Sequence, residues 1–134
     1  MKTEEKLDIT FYQNLGRLFY AIAFIDNNVR EEEINALKKL ITSTWVPLHN
    51  QSDAYGDNSA FQIEIVFNWL DSEVYEAQEC YDTFKEYYTL NTHIFTDSIK
   101  QKISKTASAI ANAFSGVNKS ELVLLAQLNL LLNK

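Results

Sequence analysis

Four carboxylates, Asp26, Glu31, Glu32 and Glu33, bracket a short polar break between two apolar segments. Two kinds of chemistry suit acids in that pattern. At a helix start, the dipole and the unpaired backbone N–H groups favour negative charge by about 0.3–1 kcal/mol per residue, so capping alone accounts for them. Alternatively, Asp26, Glu31 and Glu33 present oxygens to a divalent cation such as calcium, which takes six to eight oxygen ligands. A second acidic set, Glu76, Glu79, Asp82 and Glu86, recurs every three or four residues. It falls opposite the apolar direction of Val74, Ala77, Tyr81, Phe84 and Tyr88, as a solvated helix face or a surface for a basic protein partner.

Other constellations fail on their spacing. Asp53, Asp57 and Glu64 occupy positions 1, 5 and 12 of an EF-hand register, but Tyr55 stands at position 3 and Asn58 replaces the turn glycine. Val46 and Leu90 stand where a Glu-x-x-His di-iron motif needs glutamates before His49 and His93. The zincin, Walker A and dinucleotide fingerprints are absent; the only glycines are Gly16, Gly56 and Gly116. Cys80 has no sequence signal pairing it with a histidine, and packing is its default role. Core packing is also the default for Tyr75, Tyr81, Phe84, Tyr87 and Tyr88, with Tyr75 and Tyr87 off the central apolar direction and able to edge a binding surface. The expectation is a protein that is not an enzyme and has no certain cofactor.

The elements that must position these residues read as helices. Phe11, Leu15, Leu18, Ile22 and Ile25 align one face of a first helix over about 4–26. Asn28, with Glu31 three positions on, is expected to cap a second helix whose buried face is Ile34, Leu37, Ile41 and Trp45, ended by Pro47 at about Thr44. Residues 46–58 form the one long irregular connection, a length that is often functional. Phe61–Phe67 alternates like a strand but has no partner to pair with, which favours a short buried helix over 59–71. Ser72 is expected to cap a fourth helix over 73–90. A fifth covers about 93–115, stopped by Gly116, and Asn118 caps a sixth over 119–132 with Glu121 completing the capping box. That last helix is apolar nearly all round, so it lies in the core or is shared with a partner subunit.

Composition agrees. The 134 residues are one domain's length, 46% hydrophobic and 13% aromatic, with three glycines and one proline. A net charge of −6 disfavours nucleic acid. The charge is uneven: residues 1–86 hold 16 acids and 7 bases, and 87–134 hold 2 acids and 5 bases, a division that allows head-to-tail self-association. The N-terminus lacks the pattern of a secretory signal, and the longest apolar run, Leu18 to Ile25, is far below the ~20 residues needed to span a bilayer. A cytoplasmic location without membrane insertion is expected.

Setting each residue against the one 90 positions on brings Ala21, Ala23, Phe24, Asn28, Glu31, Ala36 and Leu40 onto Ala111, Ala113, Phe114, Asn118, Glu121, Ala126 and Leu130. This predicts two related helical hairpins about a pseudo-twofold axis, within a single all-α bundle of about six helices spanning 1–134. The segment from Leu18 to Ile41 resembles the tellurite-resistance TerB-like domain signature: an alanine-rich helix end, an acidic turn (Asp26-Asn27-Asn28-Val29), then a Glu opening a helix with an Ile-x-x-Leu pattern (Glu33, Ile34, Leu37). The resemblance implies an all-helical interaction module in a stress- or tellurite-resistance-associated assembly. It also implies metal-linked acids at Asp26 and Glu33. Asn27 stands where that family has glycine, and Ser115 where its second half has aspartate. The competing reading is a structural homodimer built on the Leu-rich C-terminal helix, with no metal site.

Overall fold

The computed structural model describes residues 8–48, 59–113 and 119–133. It is an all-α bundle of six principal helices. We number them α1 (Ile9–Phe24), α2 (Glu31–Leu40), α3 (Gln62–Glu73), α4 (Ala77–Leu90), α5 (Asp97–Asn112) and α6 (Lys119–Leu132). Short 3₁₀ turns at Ser59–Phe61 and Thr92–Ile94 precede α3 and α5. The described residues contain no strand, so Phe61–Phe67 is helical as its lack of a partner predicted.

Helix α1 is the axis of the bundle and packs against α3, α4, α5 and α6. Every residue from Leu18 to Ala23 is buried, so the segment buried on every side is the second half of the first helix, whereas α6 buries only one face. Gly16 permits the closest approach: a Cβ there would lie 2.8 Å from the Ile63 carbonyl oxygen and 2.9 Å from Val66 Cβ. The α1 and α3 backbones therefore meet at a distance that only glycine allows.

Several boundaries differ from expectation, each for a local reason. Asn28 does not cap α2; the N-cap is Arg30, whose backbone N–H donates to Glu33 Oε1 at 2.8 Å. Pro47 does not end the second helix at Thr44. The chain continues from α2 through a π-helical turn, Ile41–Trp45, and a last α-helical turn, Val46–Leu48. The wider turn lies where a regular helix would set the proline ring against the Ser43 carbonyl. It also brings Ile41 and Trp45 both into the core, with Trp45 Nε1 donating to Thr106 Oγ1 at 3.0 Å.

Ser72 does not cap α4. It lies inside α3, where its hydroxyl donates to the Trp69 carbonyl at 2.9 Å, and α4 starts after Glu76. Val74, expected on the buried face, is instead an exposed left-handed C-cap residue at φ 56°, ψ 54°. The fifth helix starts at Asp97, capped by Thr96 Oγ1, which accepts from the Ile99 N–H at 3.2 Å. The caps expected at Gly116 and Asn118, and most of the 46–58 connection, lie outside the described residues.

The two hairpins also match in a different register. Helices α1 and α5 are each 16 residues long, and their caps Asp8 and Thr96 each accept from the third helical N–H, of Phe11 and Ile99. At this spacing of 88 the buried residues Phe11, Leu15, Leu18 and Ile22 fall on Ile99, Ile103, Thr106 and Ile110. The spacing of 90 followed the Ala-x-Ala-Phe pattern at the two helix ends; the caps and the core faces repeat two residues earlier. Glu121 thus corresponds to Glu33, not Glu31.

Candidate functional site

The acids of the first hairpin divide into three environments. In the turn after α1, Asn27 takes φ 67°, the left-handed conformation for which glycine is favoured and which asparagine tolerates. The turn is therefore made without a glycine. Asp26 Oδ1 accepts from the Asn28 N–H at 3.1 Å, and Asp26 Oδ2 accepts from Arg30 Nη1 at 3.0 Å. Glu31 and Glu32 are exposed at the start of α2. Glu33 is 1% exposed, and its Oε2 lies 3.9 Å from Arg30 Nη1.

Glu33 meets a residue from the far end of the chain. Its side chain hydrogen-bonds to that of Glu121, which is also 1% exposed. Two carboxyl groups bond to each other only when one carries a proton. Burial, with the hydrogen bond to Glu121 and the charge of Glu121 adding to it, pushes Glu33 up to about 8, against the lowering effect of the Arg30 N–H. Arg30 in turn is held above its ordinary value, first by the hydrogen bond to Asp26 and further by the charges of Asp26, Glu33 and Glu121. Asp26 and Glu33 are therefore neighbours around one guanidinium, while Glu31 points away into solvent. Among the described residues no three His, Cys, Asp or Glu side chains converge as an ion's ligands would. Ser115 lies outside the described residues.

The second acidic set is gathered as the spacing predicted. Glu76, Glu79, Asp82 and Glu86 are all exposed along α4, with Ala77, Tyr81, Phe84 and Tyr88 buried behind them. A cleft of about 190 Å³ joins this face to α3, lined by Arg17, Trp69, Leu70, Tyr75, Glu79 and Cys80 among others. The Trp69 and Tyr75 rings stand 5.0 Å apart on its rim. Tyr75 is fixed there by the turn at Val74: its N–H donates to the Leu70 carbonyl at 3.2 Å, and its carbonyl accepts from Tyr20 Oη at 2.7 Å. Tyr20 is buried, and burial together with nearby negative groups pushes its hydroxyl up to about 12, so it remains a donor at any physiological pH. Cys80 is buried at the cleft floor, and burial raises its thiol to about 11, which leaves little thiolate for nucleophilic chemistry.

Tyr87, the other tyrosine expected at an edge, packs edge-on against Phe95 at 6.1 Å. His93 is exposed in the turn before α5; His49, Asp53 and Asp57 lie outside the described residues. Glu64 is 3.7 Å from Lys38. A separate groove of about 520 Å³ runs between the π-helical turn and α5, lined by Ser43, Thr44, Pro47, Ser98, Lys102 and Lys105 among others.

Two features escaped the motif search, although the sequence carried a signal for each. Glu33 shares a face with Leu37 and Ile41, and Glu121 with Leu124 and Leu128, so both acids lie on core-facing stripes. On α3, Ile63, Phe67 and Leu70 fill the buried face, which leaves Phe61, Ile65 and Trp69 as a surplus apolar stripe at four-residue spacing. No described helix is long and apolar enough to cross a membrane. No family model, curated protein or solved structure matches the chain.

Proposed function

We propose that this chain is a non-catalytic helical interaction module, and that it engages a basic protein segment through the acidic face of α4 and the aromatic rim beside it. The observation that carries this reading is the Trp69–Tyr75 pair, half exposed and set next to Glu79 in one cleft. Tryptophan and tyrosine supply large contact area at small entropic cost and dominate binding energy where they anchor an interface. From Ser59 to Phe84 the chain has six acids and no lysine or arginine; Arg17 in the cleft and Lys38 beside Glu64 offset two of them, and the remaining excess of negative charge favours cationic partners. The resemblance of residues 18–41 to the TerB-like signature supports placing the module in a stress-associated assembly.

The test is calorimetric titration with a synthetic amphipathic helix of leucine and lysine, at low and moderate salt. Binding that weakens with salt, and that falls at least tenfold when Glu76, Glu79, Asp82 and Glu86 are changed together to Gln, supports the reading. Absence of heat, or equal affinity for wild type and the quadruple variant, overturns it. A second reading, a homo-oligomer built on α6, is favoured by Leu122, Val123 and Leu130, which are at least half exposed.

A further inference from the structure

We propose that the segment received by the α3–α4 surface is helix α6 of a second copy of this chain, docked head to tail; this rests on the interaction-module reading and names its partner. Two apolar stripes on the molecule remain uncovered, and they are complementary. The first comprises Phe61, Ile65 and Trp69 along α3, continued by Val74 and Tyr75 at the turn, each between 40% and 65% exposed. The second comprises Leu122, Ala126 and Leu130 along α6, with Val123 beside them. Both run at four-residue spacing over two turns, roughly 12 Å, so each presents one straight ridge to a facing helix.

Charge sets the pairing. The α3 stripe lies in a segment with six acids and no lysine or arginine; Arg17 in the adjoining cleft and Lys38 beside Glu64 offset two of these acids, and the surface keeps an excess of negative charge. On α6 the only acid, Glu121, is buried; Lys119 is exposed at its start, and Lys85 lines the hollow next to Leu130. An α6–α6 contact would bring like surfaces together and leave the α3 stripe wet. An α3–α6 contact covers both stripes and opposes unlike charge. One face of each copy is then spent on the next, a heterologous arrangement.

Area is sufficient for a real but modest interface. Half-exposed aromatic and aliphatic side chains leave roughly 500 Å² apolar on the α3–α4 side and roughly 300 Å² on α6. At the usual apolar share of about 57% this implies about 1,400 Å² in total, inside the range of specific complexes. The receiving surface is also pre-formed. Val74 is a β-branched residue held in the left-handed region, a conformation that persists only when its surroundings enforce it. Here the Tyr20 hydrogen bond and the Trp69 ring hold Tyr75 in place.

The experiment is sedimentation equilibrium of wild type, Trp69→Lys and Leu130→Glu, alone and mixed in equal amounts at low salt. Both positions are at least half exposed, so the substitutions leave the core untouched, which circular dichroism checks. The expected result is concentration-dependent growth of the wild type beyond 15.5 kDa, at least tenfold weaker association of each variant, and a heterodimer on mixing. Mixing restores association because one variant keeps an intact α6 and the other an intact α3. Either variant associating alone as wild type does, or a mixture that stays monomeric, overturns the proposal. A monomeric wild type that still binds the leucine–lysine helix through Trp69 overturns the second copy as partner and leaves the interaction-module reading standing; loss of both results removes both.

Discussion

Replacing Glu33 by Gln should abolish a specific pH dependence of stability. In the folded protein the Glu33 carboxyl is raised from 4.5 to about 8, and unfolding returns it to its ordinary value. Below about pH 4.5 both states hold the proton, and the pair contributes its full stabilisation. Between about 4.5 and 8 the unfolded chain releases the proton while the folded one keeps it, so stability falls as pH rises. At about 1.4 kcal/mol per pH unit the whole window is worth at most about 5 kcal/mol. That value already includes Arg30, whose guanidinium lies 3.9 Å from one oxygen; relaxation and water penetration around the buried pair once the proton leaves reduce the penalty, so a loss of about 2–3 kcal/mol is expected. That equals roughly 4–12 °C in Tm.

A glutamine at position 33 keeps an oxygen for the Arg30 N–H and offers Glu121 a permanent donor, imitating the protonated acid at every pH. Urea unfolding followed by tryptophan emission at pH 5, 6, 7 and 8 should therefore show the variant gaining on wild type by about 2–3 kcal/mol across the series. Subtracting one protein from the other removes the contribution of the remaining acids. If the difference stays constant with pH, or the wild type gains on the variant, Glu33 does not carry the proton and the Glu33–Glu121 pairing is misread.

Three further substitutions or reactions follow from the packing. Gly16→Ala should destabilise by about 1–3 kcal/mol in thermal melts, because the new methyl meets the Ile63 carbonyl at 2.8 Å and backbone must move to admit it. Val74→Gly should stabilise by about 1 kcal/mol by relieving the left-handed valine, while loosening Tyr75 and weakening capture of the leucine–lysine helix. Cys80 should react with a thiol reagent at pH 7.5 at least tenfold more slowly in the folded protein than in urea, since it is buried with its thiol raised to about 11.

The helical bundle was legible because apolar periodicity is a property of whole segments: Phe11, Leu15, Leu18 and Ile22 are buried along α1, and the acids of α4 face water as their spacing required. Caps were less legible. Asn28 and Ser72 have good capping side chains, yet tertiary packing fixed the helix starts at positions where Arg30 and Glu76 happen to stand. The π-helical turn at Ile41–Trp45 has no periodic signature over five residues. The Glu33–Glu121 contact links residues 88 apart, and a repeat aligned on Glu31 conceals it. The α3 stripe was missed for another reason: apolar residues around a short helix suggest burial on every side, whereas α1 covers only one.

The proposed interaction surface can be tested through the two tryptophans of the chain. Trp45 is buried and donates its indole N–H to Thr106 at 3.0 Å, whereas Trp69 is 50% exposed at the cleft rim. In a nitrogen–proton correlation spectrum they give separate indole signals. Titration with the leucine–lysine helix should move the Trp69 indole and the amides of Tyr75, Glu76 and Glu79, and leave the Trp45 indole in place. A Trp69 signal that does not move at saturating peptide, or shifts gathered on any other face, would contradict an interaction module that works through this surface.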